Sequence, residues 1–129
     1  MENSDDIDEL ERLIVQLQGL HDEISQLAKK SPNDALNPFK LKLVNKILEV
    51  GNTVLINGYR PFSDFAQFDS DDMPTNSDVT MIISQYIQQA ERFRSDNVVK
   101  HDYKWVYVLS GKPSDIPALE PTRVGSSKK

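Results

Sequence analysis

Asp69, Asp71 and Asp72 are three carboxylates within four positions, the kind of short acidic loop that can hold calcium or magnesium. A helix-loop-helix calcium site also needs a glycine at its sixth position and a bidentate glutamate at its twelfth. Counted from Asp69, those positions hold Pro74 and Thr80, so the motif fails. The aspartates then read as a solvated acidic turn lying near the positive end of a following helix. A metal-dependent enzyme using the acidic loop 69–72 stands as a second alternative reading.

The two histidines, His21 and His101, fall in different segments with no Glu-x-x-His or His-x-x-x-His spacing, and the chain has no cysteine. That removes thiolate catalysis, disulfides and Cys-based zinc sites. The five glycines are scattered, so none forms a phosphate-cradling loop, and there is no Gly-x-Ser-x-Gly elbow. His101 and Asp102 are sequence neighbours, which does not make a dyad. No catalytic constellation assembles, and the chain is read as a non-enzyme with no cofactor and no metal.

One stretch mixes cations with stacking faces. Arg92, Arg94, Lys100 and Lys104 precede or interleave with Tyr103, Trp105 and Tyr107, a pattern that suits single-stranded nucleic acid. Against it stand Asp96 and Asp102 in the same stretch and a net charge of −5, because neutralising phosphates takes clustered Lys and Arg. A nucleic-acid-associated accessory factor using residues 92–107 is therefore the alternative reading. The bland account is a helix end with its usual cations, followed by a core strand.

These groups must be placed by a single domain, since 129 residues are too few for two comfortable ones. Residues 73 to 94 are the most decisively written helix. Thr75 is a natural N-cap for Asp78, and Val79, Ile82, Ile83, Tyr86, Ala90 and Phe93 recur at spacings of three and four. Toward the N-terminus, Ile7, Leu10, Ile14, Leu17 and Ile24 form one apolar row, and Leu13, Leu20 and Leu27 a second, with His21 in the seam. Between them, Asn37-Pro38 opens a helix that is apolar on two faces: Leu36, Phe39, Leu43, Ile47, Val50 and Val54 on one, Leu41, Val44, Leu48 and Leu55 on the other. Such a helix is expected to lie centrally, packed by both others, and to end at Asn57-Gly58.

Residues 59–73 carry Tyr59, Phe62, Phe65 and Phe68, expected to fold as an aromatic lid over the bundle. Tyr103, Trp105, Tyr107 and Leu109 alternate with other residues at the period of a strand, with no obvious mate. From Lys112 on, Pro113, Pro117 and Pro121 and a small, charged end read as a disordered tail, in which Ile116, Ala118 and Leu119 could form a short linear motif.

The expected fold is thus mainly α: a three-helix bundle with helices at about 5–29, 37–56 and 75–95, an aromatic loop 59–73 and one C-terminal strand or extended arm 103–109. The helical domain covers 1–110 and the disordered tail 111–129. The acidic N-terminus and the lack of a long apolar run predict neither signal peptide nor membrane span, and a cytoplasmic location. The expected function is a noncatalytic protein–protein interaction module, an adaptor, small chaperone or acidic inhibitor of the antitoxin kind. Its partner is a protein of unknown identity and it forms a homo-oligomer. Its expected contact residues are Tyr103, Trp105, Tyr107 and Leu109 with Leu10, Leu17 and Ile24.

Overall fold

A computed structural model of the chain describes residues 1–56 and 58–122. Its elements in order are α1 (Ser4–Lys30), α2 (Pro38–Val54), a single 3-10 turn (Ser70–Asp72), α3 (Asn76–Asp96), β1 (Val98–His101), β2 (Lys104–Leu109) and β3 (Lys112–Pro117).

Each helix begins on a side-chain cap. Asn3 Oδ1 accepts from the Asp6 amide at 3.1 Å, and Asp6 Oδ2 accepts in return from the amides of Asn3 and Glu2, so a reciprocal capping box opens α1. Asn37 caps α2 with Pro38 at its first helical position, and Thr75 Oγ1 accepts from the Asp78 amide at 3.1 Å to start α3. Two helices therefore start on residues that the sequence marks, within a position of the expected boundaries.

α1 and α3 make the most extensive helix pairing, and α1 also packs against α2. Leu10, Leu13, Leu17 and Ile24 of α1, Leu41, Val44 and Leu48 of α2, and Val79, Ile83, Tyr86 and Ala90 of α3 form one buried cluster. Burying each such aliphatic side chain contributes about 1.5–3 kcal/mol relative to leaving it in water. α1, not α2, is thus the helix that contacts both others most fully, which corrects the expected central place of α2. α2 runs through Gly51 and Asn52 and ends at Val54, capped at Leu55, short of the expected stop. Gly58 has a positive φ of 91°, while Asn57 lies outside the described residues.

The loop after α2 does fold back as an aromatic cover. Tyr59 stacks on Phe93 of α3 with ring centroids 4.7 Å apart, and Phe65 meets Phe68 edge-on at 5.1 Å. Two asparagines on one side of α2 fasten its backbone: Asn45 exchanges two 2.9 Å hydrogen bonds with Phe68, and Asn52 Nδ2 donates to the Ala66 carbonyl at 2.8 Å.

The expected bundle with a single strand is overturned by the C-terminal third, which is a three-stranded antiparallel sheet in the order β1-β2-β3. Val98 pairs with Tyr107 and His101 with Lys104 on one side of β2, while Leu109 pairs with Lys112 and Val106 with Pro117 on the other. Two-residue turns join the strands. Asp102 and Tyr103 have φ of 51° and 64°, and Ser110 and Gly111 have 51° and 80°, the left-handed pairs whose twist suits hairpins. Residues 112–117, expected inside a disordered tail, are an edge strand, which is where prolines such as Pro113 and Pro117 can be tolerated. A bulge lies between Val106 and Val108. There Ser114 Oγ donates to the Tyr107 carbonyl at 2.6 Å and accepts from the Ile116 amide. The remaining expected tail, 123–129, lies outside the described residues.

Candidate interaction surface

α2 has two apolar arcs and, among the described residues, neighbours for only one. Leu41, Val44, Leu48 and Gly51 turn inward, and the Asn45–Asn52 side holds the aromatic loop. The other arc carries Phe39, Leu43, Ile47, Val50 and Val54, spaced four, four, three and four residues apart, so all five fall on one stripe along the helix. Phe39 is 69% exposed, Leu43 41% and Val50 40%, while Ile47 and Val54 are half-buried at the edge of the core.

Beside this stripe, Leu43, Lys46 and Ile47 form one wall of a shallow groove of about 280 Å³ whose other wall is Gln16, Gly19 and Leu20 of α1. Gly19 leaves its side of the groove open, since a Cβ there would meet nothing within 4 Å. Farther along, the Lys40 ammonium sits 2.8 Å from the Glu23 carboxylate, which lowers the Glu23 pKa by hydrogen bonding and charge. This pair is exposed and ties the two helices only weakly. Outside the stripe the helix surface is polar, with Lys42, Glu49 and Lys46, which also borders the groove, all exposed. An apolar seam rimmed by charges of both signs is the surface that a partner helix covers.

The residues singled out from the sequence divide differently. Leu10, Leu17 and Ile24 point into the core and are buried, as is Tyr107. Trp105 and Leu109 are half-buried, and Tyr103 alone of that set stands free, at the tip of the first hairpin. Tyr107 donates its hydroxyl to Glu11 Oε2 at 2.8 Å, docking the sheet on the N-terminal half of α1. Burial first, and then the Glu11 carboxylate, push its pKa well above the usual tyrosine value.

The cations of the nucleic-acid alternative do not share a surface. Arg94 is buried. Its guanidinium binds Glu91 at 3.0 and 3.2 Å and donates to the carbonyls of Leu119 and Glu120 at 3.0 and 3.1 Å, strapping the chain beyond β3 onto α3. Arg92 lies over the Tyr59 ring, 4.5 Å from its centroid. Lys100 pairs with Trp105 and Lys104 with His101, and since directly opposed residues share a face, the two lysines project from opposite faces of the sheet.

Of the remaining candidates, Asp69 caps the 3-10 turn by accepting from the Asp71 amide at 2.9 Å, and the residues of that turn are exposed. Among the described residues no group of three or more His, Asp or Glu is placed to hold a metal ion. His101 Nε2 stands 3.6 Å from Asp102 Oδ2 at an exposed hairpin tip, and His21 is half-buried on α1. Among the described residues, no helix is long and apolar enough to cross a membrane.

The outer stripe of α2 is visible in the sequence as a second apolar face, and its periodicity matches that of the buried one. The signal that marks it as a surface is a count of neighbours: with α1 and α3 making the most extensive pairing, no helix among the described residues is left to cover it. Comparison with family models, with curated proteins and with solved structures returns no match.

Proposed function

We propose that this chain is a noncatalytic cytoplasmic interaction module of the adaptor or inhibitor kind, which recognises a protein partner by laying a helix against α2. The observation that carries this reading is the uncovered stripe Phe39–Leu43–Ile47–Val50–Val54. A helix that presents large apolar residues to water at heptad-like spacing gains from a second helix seated on it, with anchors entering at i, i+4, i+7 and i+11. Its lysine-rich flank gives that face a local positive charge on a chain whose net charge is −5.

The test is affinity capture with the tagged parent and with Leu43→Asp and Val50→Asp, each shown by circular dichroism to remain folded. Association, with itself or with a stoichiometric partner that survives nuclease, should be present in the parent and lost in both variants. Binding that is unchanged by a charge in the middle of the stripe would overturn the reading.

A further inference from the structure

Building on α2 as the docking face, we infer that its occupant is a second copy of this chain, seated antiparallel about a two-fold axis near Ile47. The stripe is nearly the same read in either direction. With Ile47 opposite Ile47 of the copy, Leu43 falls beside Val50 and Phe39 beside Val54, each layer within about one residue rise, roughly 1.5 Å, of level. Large meets smaller in the two outer layers, which is how facing side chains interdigitate.

Charge supports the same arrangement. A two-fold axis across antiparallel helices brings each flank against its own copy. The exposed flank Lys42, Lys46, Glu49 then meets itself, and Glu49 falls level with residue 45 of the copy, between its Lys46, roughly 1.5 Å away along the axis, and its Lys42, roughly 4.5 Å away. Each carboxylate is bracketed by two ammonium groups of the other chain. The groove beside the stripe, walled on the α1 side by Gln16, Gly19 and Leu20, leaves open space that admits the approaching helix. The product is a layer of four helices, α1 and α2 of each copy, of the kind that helical bundles build.

Size sets the strength. Phe39 to Val54 spans roughly 22 Å of a helix about 10 Å wide, a footprint of roughly 220 Å² per copy, which places the contact below the standard size and among weak, transient interfaces. The dimer is therefore concentration-dependent, and its pairing is fixed by charge more than by area.

Sedimentation velocity from about 1 to 300 µM tests this on the parent, on Leu43→Asp, on Glu49→Lys, on the double variant Lys42→Glu/Lys46→Glu, and on an equimolar mixture of the two charge variants. The substituted residues are all exposed, and circular dichroism confirms folding. The parent should shift from monomer toward dimer with concentration and Leu43→Asp should stay monomeric. Each charge variant should associate at least about ten-fold more weakly alone, and mixing the two should restore dimer, because a wholly basic flank then faces a wholly acidic one. A parent that remains monomeric at the highest concentration overturns the inference, as does a dimer that ignores these substitutions. If that monomer still captures another protein through Leu43, an unrelated helix is the occupant and the docking face stands; if it captures nothing, both readings fall.

Discussion

The ring of Tyr86 lies against the bare Cα of Gly51, so close that a Cβ there would stand 3.1 Å from the ring. Tyr86 is fully buried on α3 and its hydroxyl donates to Asn52 Oδ1 at 2.6 Å, which fixes the ring in both position and tilt. The glycine that weakens α2 locally is what lets α3 approach it, and the next residue holds both the ring and the aromatic loop.

Gly51→Ala should therefore destabilise the protein even though alanine is the better helix former. The propensity gain of about 1 kcal/mol is outweighed by crowding of a ring that cannot retreat, which costs about 1–3 kcal/mol. The expected net loss is about 1 kcal/mol in urea unfolding. A gain in stability would mean that Tyr86 has room to move.

The two hairpin turns should respond with opposite signs. Gly111 uses its φ of 80° without strain, and Gly111→Ala is expected to cost about 1 kcal/mol. Tyr103 holds φ of 64° with a side chain that is 96% exposed, so Tyr103→Gly should raise stability by up to about 1 kcal/mol. Thermal melts of the two variants settle both signs.

Removing the strap should free the segment beyond β3. Burial opposes the charge of Arg94, but Glu91 and Tyr107 beside it hold its pKa above the ordinary value. Arg94→Ala leaves the carbonyls of Leu119 and Glu120 without their side-chain donor, and Glu91 with only the Thr122 hydroxyl at 2.9 Å, and should cost about 2–3 kcal/mol. Lysine lacks the fork needed to reach all three, so Arg94→Lys should recover only part of the loss. Faster amide exchange or proteolysis around Leu119 and Glu120, with α1 still protected, is the expected pattern.

Alkaline titration should weaken the fold from about pH 10 upward. Burial and the Asp96 carboxylate, which accepts the Tyr59 hydroxyl at 2.6 Å, push Tyr59 up to about 12, against 10.0 for a free tyrosine. Burial likewise raises Tyr86, and burial with Glu11 raises Tyr107. The folded state favours the neutral phenols, so their contribution is fully present below the unfolded value of 10.0 and is lost as pH rises through the folded values. Absorbance at 295 nm should show these three ionising late, and Tyr107→Phe should flatten part of the loss in stability at high pH.

The sequence by itself determined the three helices, because their caps and apolar periodicity are local signals: Asn37-Pro38 and Thr75 sit where the helices start. It also determined the aromatic cover, since Phe65 and Phe68 could not stand together in water. The sheet was only half legible. Tyr103 to Leu109 alternates clearly, but its mates are four residues after α3 and a proline-bearing run that resembles a tail, and one of the turns holds Asp102-Tyr103, an unusual pair for a left-handed hairpin. Ser110-Gly111 was the available sign. Tertiary structure alone decided which apolar rows are covered. Leu10, Leu17 and Ile24 vanish into the core while Phe39, Leu43 and Val50 stay outside, although the periodicity of both rows is the same. Periodicity states that a face is apolar; only the packing of α1 on α3, and the place that pairing leaves for α2, states whether this chain can bury it.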